Sequence, residues 1–107
     1  GLRTLTQERN VLLILDEIQC GYGRTGTFFA YEQYGIEPDL LTVAKPMAGG
    51  LPMGAVLLTQ QVADAIQPGD HGTTFGGGPL VAHVANHVFD RLRDPALYQR
   101  TYGSAHP

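Results

Sequence analysis

The chain has 107 residues, of which 43% are apolar and 16% charged, so it is smaller than an average domain and too apolar for a disordered tail. Ten acids against seven fixed bases give a net charge of -3, which leaves no electrostatic case for nucleic acid or an anionic membrane surface as a partner. The single cysteine, Cys20, excludes an internal disulfide and fits a reducing compartment, and the longest strictly apolar run, residues 11–15, is far shorter than the roughly 18 residues of a membrane span. Residue 1 is Gly rather than Met and no secretory signal opens the chain, so a processed, trimmed or partial polypeptide in the cytoplasm is the expectation.

Residues 2–9 read as a helix, with Leu2 and Leu5 on one side and Asn10 as the turn that follows. Residues 11–17, VLLILDE, carry five apolar residues without alternation and end in carboxylates, which predicts a strand buried on both faces. Gly21, Gly23 and Gly26 make a loop, residues 28–34 a short helix stopped by Gly35, and residues 40–44 a second buried strand. The next connection, residues 45–53, is nine residues long and holds Pro46, Gly49, Gly50 and Pro52. That is too short for a parallel crossover, so residues 54–59 are predicted to run antiparallel beside the second strand, while the first two strands run parallel. A short helix over 61–67 ends at Pro68-Gly69, and a glycine-rich loop over 70–78 leads to a helix opened by Pro79 and running to Leu92. Asp94-Pro95 breaks that helix, residues 95–100 add a further helical turn, and 101–107 read as a frayed tail. The fold class is α/β, a mixed and mostly parallel sheet with flanking helices.

Three patterns carry possible chemistry. GYGRTG, residues 21–26, matches a dinucleotide-binding spacing, but Asp16, Glu17, Ile18 and Gln19 intervene after the apolar run, and the next strand ends in Lys45 rather than an acid. LLILDE, residues 12–17, resembles the magnesium-holding strand of phosphate-loop ATPases, yet the chain has no GxxxxGK[ST] loop to hold phosphates. Asp16 nevertheless ends a buried strand, where open α/β sheets bind ligands; the plain alternative is an acid at a wet sheet edge. Lys45 is the only lysine in the chain. At the end of a buried strand it is either a desolvated, nucleophilic amine or a lysine reaching past the strand end to water. His83 and His87 stand four apart on the last helix with no third ligand evident, so no metal is expected.

Taken together, LLILDEIQCGYGRTGTFFAYEQYGIEPDLLTVAKPMAGGLPMGAVL over residues 12–57 and GDHGTTFGGGPL over 69–80 resemble the class III pyridoxal-phosphate aminotransferases, and within them the acetylornithine branch. The resemblance implies a partial large domain of the fold-type I pyridoxal-phosphate-dependent transferase fold, with residues 1–107 as its central part. It implies that Lys45 bonds covalently to the cofactor, that Asp16 faces the pyridine nitrogen and that Gln19 lies near the phenolic oxygen. Glu17 and Ile18 would fall in the same cofactor-contacting stretch. Thr74 would bind the cofactor phosphate of the neighbouring subunit in a homodimer, and Thr73 would contact substrate. The implied reaction moves an amino group from N-acetylornithine to 2-oxoglutarate in arginine biosynthesis; ornithine, succinylornithine and a lysine-pathway semialdehyde are the alternative substrates. Alternatives of another kind are an ATPase segment built on LLILDE and a non-catalytic remnant. The family's upstream phosphate loop, ring-stacking aromatic, carboxylate-gripping arginine and small domain have no counterpart here, which predicts that the isolated chain does not transaminate and exposes apolar surface that those parts would cover.

Overall fold

The computed structural model describes residues 1–97. Residues 95–97 are helical; the rest of the helical turn expected over 95–100, and the tail expected over 101–107, lie outside the described residues.

Helix α1 spans Leu2–Glu8 and ends at Asn10, which takes the left-handed conformation (φ 52°) that asparagine tolerates. Strand β1, Ile14–Asp16, pairs in parallel with β2, Leu40–Val43, and β2 pairs antiparallel with β3, Ala55–Leu58. The three strands lie in the order β1-β2-β3, so the sheet is mixed, with one pair of each kind. The nine-residue connection does what its length requires: it folds into a 3-10 turn at Lys45–Ala48 and returns the chain beside β2. Helix α2, Gln60–Ala65, opens on the Thr59 hydroxyl, which accepts the Val62 N–H. Helix α3 occupies Pro79–Leu92, with Pro79 in its first turn as its fixed φ favours.

The register separates the two sheet faces. Leu41 and Val43 sit on one face and are 3% and 2% exposed; with Leu13, Ala48 and Ala85 they form the core. Ile14, Asp16 and Val56 share the opposite face, where Ile14 and Val56 remain 59% and 55% exposed. The expectation of a strand buried on both faces over 11–17 is therefore corrected. Val11, Leu12 and Ile14 are exposed, and only Leu13 and Glu17 in that run are buried. The run does not alternate because both of its faces are apolar, yet the elements within residues 1–97 cover only one of them.

Two local devices hold the frame. Helix α3 packs on the Lys45–Ala48 turn, where Ala48 and Ala85 are small enough for close approach and a side chain at Gly49 would meet Val88 at 3.3 Å. At the other end of the sheet, Arg3 donates to both carboxylate oxygens of Asp39, at 2.6 and 3.1 Å, and Asp39 also accepts the Leu13 N–H at 2.7 Å. The Arg3 hydrogen bond, followed by that of Leu13, holds the Asp39 carboxyl below its ordinary value of 3.8. A lowered folded value means that the link stabilises the fold fully above that ordinary value and is lost as pH falls through the lowered one. Asp39→Asn is expected to melt below the unsubstituted chain at neutral pH, and the two melting curves are expected to converge in acid. A gap that stays constant with pH, followed by circular dichroism, would count against this link.

Candidate functional site

The carboxyl ends of β1 and β2 lie side by side, since Asp16 is in register with Thr42. β2 ends at Val43, and two residues later the chain reaches Lys45. Parallel neighbours lie about 4.8 Å apart, so the last acid of one strand and the lysine that follows the other share one edge of the sheet. Open α/β sheets use this edge for ligands.

Asp16 is exposed, and its Oδ1 accepts the Ile18 N–H at 2.9 Å, a tight turn that fixes the direction of the carboxylate. Ile18 is half-buried and Gln19 is exposed beside it. Lys45 is exposed as well; of the two readings left open for it, the described residues fit the side chain that reaches past the strand end to water, and they do not enclose the amine. No carboxylate among the described residues pairs with it. Its backbone is unusual, with φ 34° in a residue that carries a Cβ and precedes proline. Such strain costs on the order of 1–3 kcal/mol and persists only where the surroundings impose it. Here they do: Ala44 O accepts the Met47 N–H at 3.0 Å, Pro46 O accepts the Gly49 N–H at 3.1 Å, and α3 presses on the turn.

Glu17 has a structural task as well as its place in the stretch that the resemblance singles out. It follows β1 directly, is 4% exposed, and its carboxylate accepts the N–H groups of Ala30 and Tyr31 at 2.8 Å each. Both carboxylate oxygens are thus engaged with backbone. Nothing in the residue pattern distinguished two adjacent acids, because the partners lie 13 and 14 residues further along.

The GYGRTG stretch opens no helix. Residues 18–29 are turns and bends closed by Gly23 N–H to Phe28 O and by Gln33 to Thr25 O. Without a helix N-terminus to receive a pyrophosphate, the dinucleotide reading has no local geometry. The loop is held by rings: Tyr22 sits 5.2 Å from Phe28, and Phe28 meets Phe89 of α3 edge-on at 5.5 Å. Burial raises the Tyr22 phenol above its ordinary value.

Thr73 and Thr74 lie exposed in the loop before α3. Thr73 lines a hollow of about 340 Å³ with Met53, Phe75 and Gly76–Gly78, between that loop and the entry to β3. A side chain on Gly76 would collide with the Thr73 methyl, so the loop's shape depends on that glycine. Asp16 lines a separate hollow of about 300 Å³ with Leu15, Tyr31 and Tyr34. The structure therefore brings Asp16, Ile18, Gln19 and Lys45 to one sheet edge and leaves the threonine pair on another loop. Among the described residues no three His, Cys, Asp or Glu side chains gather as a metal site, and no helix is long and apolar enough to cross a membrane.

The family model described as aminotransferase class III matches residues 1–105. A probable mitochondrial acetylornithine aminotransferase of Dictyostelium discoideum is 55% identical over 99 residues, which cover 90% of this chain and 22% of that protein. A succinylornithine transaminase of Photorhabdus laumondii is 59% identical over 96 residues, covering 90% of this chain and 24% of that one. Among solved structures, the acetylornithine aminotransferase of Elizabethkingia anophelis superposes with a TM-score of 0.84 at 42% identity, covering 91% of this chain and 24% of that one. The chain thus spans less than a quarter of the length of the curated relatives it matches. On the match of the family model to nearly its whole length, this chain belongs to the class III aminotransferases.

Proposed function

We propose that residues 1–107 are the central part of the large domain of a pyridoxal-phosphate-dependent transaminase that moves an amino group from N-acetylornithine to 2-oxoglutarate, in arginine biosynthesis. The observation that carries the reading is the placement of Asp16 and Lys45 at the carboxyl ends of adjacent parallel strands, an exposed carboxylate and an exposed amine without an ion-pair partner among the described residues. This donor set fits the cofactor: pyridoxal phosphate supplies an aldehyde that bonds to amines and a ring that takes up electron density. Asp16 keeps a proton on the ring nitrogen. Lys45 would hold the group through its amine and would serve as the proton carrier at the substrate carbon. Gln19 donates a hydrogen bond to the ring oxygen and Ile18 packs against the ring. Thr74 holds the phosphate of the neighbouring subunit in a homodimer, and Thr73 contacts substrate. The 107-residue chain alone holds the covalent centre without the full pocket and does not turn over. Its compartment is the cytoplasm or, as the name of the Dictyostelium relative suggests, the mitochondrial matrix.

Succinylornithine is the second reading for the amino donor, favoured by the 59% identity to the Photorhabdus transaminase. A chimera tests the transaminase reading: the Elizabethkingia acetylornithine aminotransferase with its matching segment exchanged for this chain. The chimera is expected to form glutamate from 2-oxoglutarate with N-acetylornithine in preference to succinylornithine. A folded chimera without turnover would contradict the proposal. In the same chimera Asp16→Asn is expected to lower kcat by about 10²–10³-fold, the scale for removing one preorganised electrostatic partner. An Asp16→Asn chimera with unchanged kcat would remove Asp16 from the cofactor set.

A further inference from the structure

Glu17 is the one buried charged side chain among the described residues, at 4% exposure. Its carboxylate receives the N–H groups of Ala30 and Tyr31 at 2.8 Å, at the start of the 3-10 turn Ala30–Tyr34. Its backbone is engaged on both sides. The Glu17 N–H donates to Thr42 O of β2 at 2.9 Å, and Glu17 O accepts the Gly21 N–H at 3.0 Å. A Cβ on Gly21 would lie 2.9 Å from that oxygen, so the turn closes only over glycine. One residue therefore joins β2, the turn over residues 18–21, and the far end of the loop over 18–29. On either side of it stand Asp16 and Ile18, whose mutual bond directs the Asp16 carboxylate.

We propose that Glu17 is a positioning residue: it clamps the two ends of the 18–29 loop and thereby holds the Asp16–Gln19 segment in the shape that presents Asp16, without itself touching a cofactor. The proposal deepens the transaminase reading and rests on it for its chemistry; the clamp itself stands apart from it. Hydrogen bonds from backbone to a buried carboxylate are among the strong ones, and removing one leaves a buried donor unpaired. In Glu17→Gln the side chain keeps its size but turns one acceptor into a donor that faces an N–H. Ala30→Pro removes a donor from the opposite partner. The first residue of a helical turn tolerates proline, and Phe29 before it is already extended (φ -116°, ψ 143°).

Amide hydrogen exchange on the complete, cofactor-free chain reads the clamp. Both variants are expected to exchange about tenfold faster at Ile18 and Gly21, as well as at Tyr31. Acceleration confined to residues 30 and 31, with Ile18 and Gly21 unchanged, would reduce Glu17 to a cap on the turn and overturn the proposal. A second readout uses pyridoxal phosphate at saturation. The visible band of the bound cofactor is expected to shift or weaken in Glu17→Gln and to stay as in the unsubstituted chain in Asp39→Asn, which is weakened elsewhere. An unchanged band in Glu17→Gln would also overturn the proposal. If the unsubstituted chain takes up no pyridoxal phosphate, the transaminase reading fails at this segment, and the exchange data still decide whether Glu17 is the clamp.

Discussion

Lys45→Ala in the Elizabethkingia chimera is expected to abolish transamination, with a loss on the order of 10⁴–10⁶-fold, the scale on which an essential covalent catalyst is missed. Two roles vanish with one side chain. On the proposed reading, the amine that would attach the cofactor is gone, and so is the group that would move the proton at the substrate carbon. No second lysine of this segment stands in, because Lys45 is the only one it has. The backbone supplies a contrast. Lys45 holds φ 34°, a conformation that costs an ordinary residue roughly 1–2 kcal/mol and glycine almost nothing. Lys45→Gly is therefore expected to be as inactive as Lys45→Ala yet more stable by about 1 kcal/mol. Stability and activity would part at one residue, as they do where strain is kept for function. Measured kcat and denaturant midpoints check both halves. Substantial residual turnover in Lys45→Ala would mean that another residue does the chemistry.

Val43→Asp is expected to unfold the chain. Val43 is buried in the core, at 2% exposure, on the central strand and two residues before Lys45. A carboxylate there has no cation within the core, and burying it unpaired costs more than such a small core supplies. Collapse of β2 would take with it the register that sets Asp16 beside Thr42, so the sheet edge that carries the site would be lost with the fold. Circular dichroism and size-exclusion chromatography read the loss. Val43→Ala provides the graded version: a smaller side chain leaves a void worth about 1–3 kcal/mol, a measurable drop without complete unfolding. A folded Val43→Asp chain would show that the core does not hold the site in place.

Much of the fold can be read from local punctuation. Pro79 opens α3 and Gly35 closes a turn with φ 60°, both where the residue pattern puts them. The antiparallel β3 follows from counting, because nine residues with two prolines and two glycines leave no room for a crossover helix. The burial of β1 does not follow in the same way. An apolar run states what both faces prefer, and within the described residues only one of them is covered. The loop over 28–34 becomes a 3-10 turn rather than an α-helix, with the Phe29 N–H taken by the Glu32 carboxylate and the turn's first amides by Glu17. The candidate site divides along the same line. Asp16 and Lys45 stand out because strand ends are where a sheet meets its ligands. Glu17 does not, because its task depends on a loop that returns 13 residues later. The strain at Lys45 was equally hidden, since nothing about a lysine before proline announces a positive φ.

The attachment of pyridoxal phosphate to Lys45 is tested most directly by mass mapping. The 107-residue chain is mixed with one equivalent of pyridoxal phosphate, reduced with borohydride, digested and sequenced by mass spectrometry. It offers two kinds of aliphatic amine, the Lys45 side chain and the amino terminus of Gly1. The account predicts the reduced pyridoxyl label on Lys45, and its loss from that peptide when Asp16 is replaced by Ala. Label confined to Gly1, or no label at all, would contradict it.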